Sequence, residues 1–212
     1  MKKLSLKGLA AFMTATAAHQ RDILRQYKYP SDDDAKAKIL YYREARDRVA
    51  AFHRSEYQKE WLTQKAEDID TLASVSVGHT KARLKHNARG LRAYAKHFSG
   101  RNFKVLNDLN LGLQYGDVII TIYPDLHVEE NGEEKIIKLE FSVEEPTKEM
   151  IKIVSQAMFE AFSSTRPGSP VSTVLYLDVP RGKEHRGAQL RARMTKNIKA
   201  TCLTISNIWD AI

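Results

Sequence analysis

The stretch from Asp117 to Ser142, DVIITIYPDLHVEENGEEKIIKLEFS, limits the possible folds more than any other part of the chain. Val118 to Val128 is a dense run of β-branched and aromatic residues, Asn131-Gly132 is a two-residue turn signal, and Lys135 to Phe141 alternates again. The spacing predicts a β-hairpin that turns at Asn131-Gly132. Such a hairpin brings Asp125, which follows Pro124, and Glu140 close on one face. Lys138, two residues before Glu140, shares that face because side chains on a strand repeat with a period of two. Two carboxylates side by side are what a divalent cation needs.

A chain of 212 residues is long enough for one good core, or one core with a helical appendage. Its hydrophobic content of 42% and charged content of 28% are those of an ordinary globular protein. The formal net charge of +8 points to an anionic partner. One cysteine, Cys202, excludes an internal disulfide framework and fits a reducing compartment, so a cytoplasmic location is expected. Met1-Lys2-Lys3 and the residues up to Ala18 loosely imitate a signal peptide, but Lys7 interrupts the apolar run and threonines dilute it. No stretch approaches the roughly 20 apolar residues of a membrane helix, and no membrane partner is expected.

The first hundred residues read as helical. Leu4 to Ala11 and Ala17 to Tyr27 are two expected short helices, closed by Tyr29-Pro30. Ser31 is the expected N-cap of a third, with Asp32, Asp33 and Asp34 in the first turn, where they complement the helix dipole. This helix runs on toward Trp61 and Ile69 with a break near His53-Arg54-Ser55, and Ser74 to Gly78 ends it. From Lys81 to Phe98, Leu84, Ala88, Leu91, Ala95 and Phe98 make one apolar stripe, and Lys81, Lys85, Arg89, Arg92 and Lys96 make a basic one. A basic stripe is either a solvated helix face or a binding surface for phosphates. The absence of acids from 81 to 104 keeps the second alternative open.

Phe103 to Gln114 is the expected first strand. After the hairpin, Glu145-Pro146-Thr147 opens a helix with Pro146 in its first turn; Ile151, Val154, Met158 and Phe162 face the sheet, while Lys148, Lys152 and Gln156 form another face that reads as solvated. Val171 to Val179 is a buried strand, Pro180 to Gly187 a basic loop containing Arg181, Lys183 and Arg186, and the last helix buries Leu190, Met194, Ile198, Cys202, Ile205 and Trp209. Charge is unevenly spread. Residues 117–149 hold ten acids and three lysines, whereas 81–104 and 181–199 together hold fifteen Lys or Arg and one acid. The seven histidines show no zinc spacing, and no Walker loop, GxGxxG or GxSxG motif occurs. His127 reads as a strand histidine with satisfied partners, with contact to the Asp125 face as the alternative.

Pro124-Asp125 on one strand and Glu140 within an apolar strand about a dozen residues on resemble the PD-(D/E)xK nuclease superfamily, including its RecB-like branch. The resemblance covers about residues 81 to 212. It departs from the family at Ser142, where the pattern has lysine, and Lys138, Lys148 and Lys152 are candidates for a displaced one. It implies an α+β fold with a core of helix, three strands, helix, strand, helix over 79–212, behind an N-terminal helical region over 1–78. It also implies metal-dependent phosphodiester hydrolysis, with Asp125 and Glu140 holding Mg²⁺ or Mn²⁺ and Lys138 as electrostatic helper. Gln156 resembles the glutamine that lines such sites, although Glu160 stands where a tyrosine usually follows. Nucleic acid, with DNA foremost, is then the partner, held by Lys81, Lys85, Arg89, Arg92, Lys96, Lys152, Arg181, Lys183 and Arg186. A fold that has lost catalysis and binds nucleic acid, or joins a larger complex, is the alternative; a protein partner or a homo-oligomer stays open.

Overall fold

A computed structural model describes residues 1–30, 41–187 and 192–212. The expected capped first turn at Ser31 to Asp34, and Leu190 in the last helix, lie outside them. The fold is α+β, with seven α-helices and eight strands among the described residues. In chain order these are β1 (Lys2–Ser5), α1 (Leu6–Thr14), α2 (Ala17–Lys28), α3 (Arg43–Arg54), α4 (Lys59–Val75), α5 (Gly78–His97), β2 (Lys104–Val105), β3 (Leu111–Tyr115), β4 (Val118–Ile122), β5 (Leu126–Glu130), β6 (Glu133–Glu140), α6 (Lys148–Thr165), β7 (Val174–Asp178), β8 (Lys183–Arg186) and α7 (Ala192–Trp209). One sheet has the order β1-β4-β3 and the other β2-β5-β6-β7-β8.

Proline divides what reads as one long strand. Pro124 has no N–H to give a ladder, so the run from Val118 splits there. β4 pairs with β1 and β3, whereas β5 pairs with β6. The second hairpin keeps the expected turn: Asn131 at φ 53° and Gly132 at φ 80° are both left-handed, as a tight two-residue turn requires. A further hairpin, closed at Gly116-Asp117, pairs Tyr115 with Val118. The basic loop expected from Pro180 is a 3-10 turn over Val179–Arg181 followed by β8, which pairs antiparallel with β7. Pro146 precedes the cap Thr147 and so lies outside the first turn of α6.

Leu4 and Ser5, expected to open the first helix, end a strand that begins at Lys2, and the helix starts at Leu6. β1 pairs parallel with β4, and α1 and α2 pack into the same apolar core as β3, β4, α6 and α7. Residues 2–28 are thus woven into the sheet layer, across the boundary expected at 78. A second core joins α3, α4 and α5 to the opposite face of the five-stranded sheet. The pleat sorts the central strands between the two: Ile137, Leu139, Phe141, Leu175 and Leu177 enter the α3–α5 core, and Ile136, Val174 and Tyr176 enter the other. Lys138 and Glu140 share the parity of Ile136. β6 therefore presents polar groups from within a sheet buried on both sides.

Candidate functional site

The β5–β6 register decides what meets what. Leu126 pairs with Ile137, and the Asp125 amide donates to the Ile137 carbonyl at 2.8 Å, so Asp125 stands opposite Lys138. The Lys138 ammonium lies 2.7 Å from Asp125 Oδ2, which also accepts from the Leu139 amide at 2.8 Å. One pleat repeat further, Glu140 Oε1 accepts from the Ser142 amide at 3.0 Å and Oε2 from the Tyr176 hydroxyl at 3.2 Å. Ser142 thus supplies a backbone donor where a lysine side chain is expected. Both carboxylates are buried, with side chains 3% and 4% exposed.

Two further cations come from the N-terminal third. Lys7, in the first turn of α1, places its ammonium 2.9 Å from Glu140 Oε2. Arg46, on α3, places Nη1 3.2 Å from Asp125 Oδ1. Burial would raise the Asp125 carboxyl, but Lys138, Arg46 and the Leu139 amide hold it below its ordinary value. Glu140 behaves alike: burial raises it, and Lys7, the Ser142 amide and Lys138 outweigh that. Both groups are anions at neutral pH. Tyr176 is pushed up by burial and then by Glu140. Tyr42 stacks on Phe141 with ring centroids 5.6 Å apart, and burial and the Glu140 charge raise its hydroxyl while Arg89 opposes them.

The basic helix packs on the other face of the sheet. A Cβ on Gly90 would lie 2.7 Å from Phe141 Cδ1, so α5 approaches the end of β6 this closely only because residue 90 has no side chain. Arg89 is linked to the site through Tyr42, whose hydroxyl feels both its charge and that of Glu140. Lys81, Lys85, Arg89 and Lys96 have no ion pair among the described residues, and all but Lys81 are exposed. The other expected nucleic-acid contacts are spoken for. Arg92 pairs with Asp70, Lys152 with Glu149, Arg181 with Asp178, Lys183 with Glu145 and Arg186 with Glu184.

Gln156 is placed elsewhere. Its amide donates to Glu160 Oε1 at 2.9 Å and to Thr195 Oγ1 at 3.3 Å, and Tyr115 donates to Glu160 Oε2 at 2.6 Å. Of the α6 face expected to be solvated, Lys148 and Lys152 are exposed, whereas Gln156 is buried where α6 meets α7. Among the described residues no contact joins it to Asp125, Lys138 or Glu140. His127 has satisfied partners, the Asn107 carbonyl and Glu134 Oε1, each at 2.7 Å. Lys7 and Arg46 escape sequence reading because no local pattern marks them. Only the parallel β1–β4 pairing and the packing of α3 bring them in.

Asp125 and Glu140 are the two carboxylates of the site, and each of their oxygens accepts from a protein donor. Among the described residues no group of three or more His, Cys, Asp or Glu is placed to form an all-protein cage. No protein-family model matches the chain, and no curated protein matches it. Among the described residues no helix is long and apolar enough to cross a membrane.

Proposed function

We propose that this chain acts on nucleic acid, DNA foremost, and that its activity is metal-assisted hydrolysis of the phosphodiester backbone in a core of PD-(D/E)xK type. One observation carries the proposal: the strand register gathers Asp125, Lys138 and Glu140 on one face, an acid, a cation and an acid, although Ser142 occupies the usual lysine position. Asp125 and Glu140 would hold Mg²⁺ or Mn²⁺, which supplies Lewis-acid charge for a phosphoryl oxygen and a more acidic water. Lys138 fixes Asp125 and keeps it ionised. The unpaired Lys81, Lys85, Arg89 and Lys96 line an approach along α5 whose field draws in a polyanion. A cytoplasmic setting is part of the proposal, supported by the free, buried Cys202.

A second reading is binding without cleavage, alone or within a larger complex. It is favoured by the fact that every oxygen of Asp125 and Glu140 already has a protein donor, with three cations around two carboxylates. Cleavage of labelled single- and double-stranded DNA and RNA, with Mg²⁺, Mn²⁺ or EDTA, separates the two. Hydrolysis is the expected outcome if cutting needs metal and vanishes in both Asp125→Asn and Glu140→Gln. Wild-type protein that binds with a steep salt dependence yet cuts nothing establishes the second reading.

A further inference from the structure

We infer that Lys7, and not Lys138, is the cation that receives a phosphate oxygen of the bound strand, an assignment that rests on the proposed action on nucleic acid. A cation that meets an incoming phosphate has to be reachable from solvent while staying at the carboxylates. Lys138 is not reachable: its side chain is 10% exposed, and its ammonium is held at Asp125 within a buried sheet. Lys7 meets both conditions, with a side chain 51% exposed and its ammonium at Glu140. An ammonium has three donors, and Glu140 is the one partner Lys7 has among the described residues, so N–H groups remain for a second acceptor.

The local fold fixes Lys7 there. Ser5 caps α1 by accepting from the Gly8 amide at 3.1 Å, its Oγ is 2.5 Å from the Tyr27 hydroxyl oxygen, and β1 is zipped to β4, the strand that leads into Pro124-Asp125. The first turn of α1 holds no acid. A lysine in that turn stands in the positive end of the helix dipole, which by itself disfavours a cation and favours an anion placed beside it. An anionic phosphate between Lys7 and solvent relieves that repulsion. Arg89, whose charge acts on the Tyr42 hydroxyl together with that of Glu140, adds to the same field. Lys7 and Lys138 thereby take separate roles, in that the buried lysine holds Asp125 and the half-exposed one meets the substrate.

The test uses the full chain and labelled oligonucleotides in EDTA, with affinity followed across salt concentration. Lys7→Met is expected to flatten the slope of log K against log salt by about 0.9 for duplex, one phosphate contact's worth, and Lys7→Arg to restore it. Lys138→Met is expected to lower the unfolding midpoint and leave the slope unchanged. On the wild-type protein, amine acetylation should modify Lys7 in the free state and much less when oligonucleotide is bound, a measurement that does not depend on any variant folding. An unaltered slope in Lys7→Met, or no protection of Lys7, overturns the assignment while leaving nucleic-acid binding intact. Wild-type protein that binds no oligonucleotide overturns both.

Discussion

The β5–β6 hairpin carries a cluster of carboxylates and cations at each end, and the two clusters are built differently. At the turn end, Glu130 accepts from Arg101 Nε at 2.5 Å, from Arg101 Nη2 at 2.7 Å and from Lys135 at 2.8 Å. Arg101 also holds Glu184 on β8 and lies 4.8 Å over the Phe103 ring. Charges balance across these four residues, and a planar guanidinium spends its fork on one carboxylate. At the other end, single contacts from lysine and arginine stems surround Asp125 and Glu140, cations outnumber acids, and Lys7 is half exposed. Similar chemistry yields a charge-balanced clamp in one place and a buried, positively biased corner with one half-exposed lysine in the other. A cluster is a candidate site when its cations keep donors toward solvent.

The largest expected effect separates the ends by what fails. Arg101→Ala leaves Glu130 buried without its main partner and releases β8, so it should lower unfolding stability by about 3 kcal/mol in urea titration while sparing cleavage or binding per folded molecule. Asp125→Asn keeps the side-chain shape but leaves the buried Lys138 ammonium without its carboxylate, so it should cost a similar amount, about 3 kcal/mol, and in addition abolish cleavage. If Arg101→Ala removes activity from protein that is still folded, the contrast between clamp and site collapses.

Acid sharpens the comparison next. At the turn end, Arg101 is the largest cause that draws the Glu130 carboxyl from its ordinary 4.5 down to about 2, against the opposing effect of burial. A depressed carboxyl contributes stability that is complete above the unfolded value and is lost as pH falls toward the folded one. Wild-type stability should therefore drop between about pH 4.5 and pH 2, and Arg101→Ala should show a shallower drop across that window. An identical acid profile for the two proteins would mean that the clamp contributes nothing through this group.

Sequence reading reached one cluster and missed the other for physical reasons. Lys138 and Glu140 lie on β6 and Asp125 immediately precedes β5, its partner across a recognisable Asn131-Gly132 turn, so local pairing rules put them together. The apolar stripes of α5 and α7 were equally legible, because an amphipathic helix declares its buried face through its own spacing. Lys7 and Arg46 depend on β1 pairing with a strand more than a hundred residues later and on α3 crossing the sheet, and nothing local encodes either. Arg101 looked like one more positive charge in a basic segment. Five of the nine expected nucleic-acid contacts have acid partners: Asp70 and Glu145 are brought from other elements, which charge counting along the chain does not see, whereas Glu149, Asp178 and Glu184 lie two or three residues from the cations they pair with.

That sorting of cations makes a third comparison within the molecule. Removing the exposed, unpaired Lys85, Arg89 and Lys96 together should flatten the salt slope of duplex binding by up to about 2.7, at about 0.9 per lost contact. Removing Lys183 and Arg186 should change it little, because those cations already have carboxylate partners. Equal effects from the two sets would show that the ion pairs of β8 open on binding and that static pairing is no guide to the interface.

The smallest expected effect concerns Gln156. Its two hydrogen bonds join Glu160 and Thr195 at the contact of α6 with α7, and Glu160 keeps Tyr115 as a partner without it. Gln156→Ala should therefore cost about 1 kcal/mol, the usual worth of such a bond, and leave cleavage or binding by folded protein unchanged. If that substitution instead lowers turnover while stability holds, α6 must shift in the active form so that Gln156 turns from Thr195 toward Glu140. The helix contact would then belong with the Asp125–Glu140 end of the hairpin, and the line drawn between clamp and site would have to move to include it.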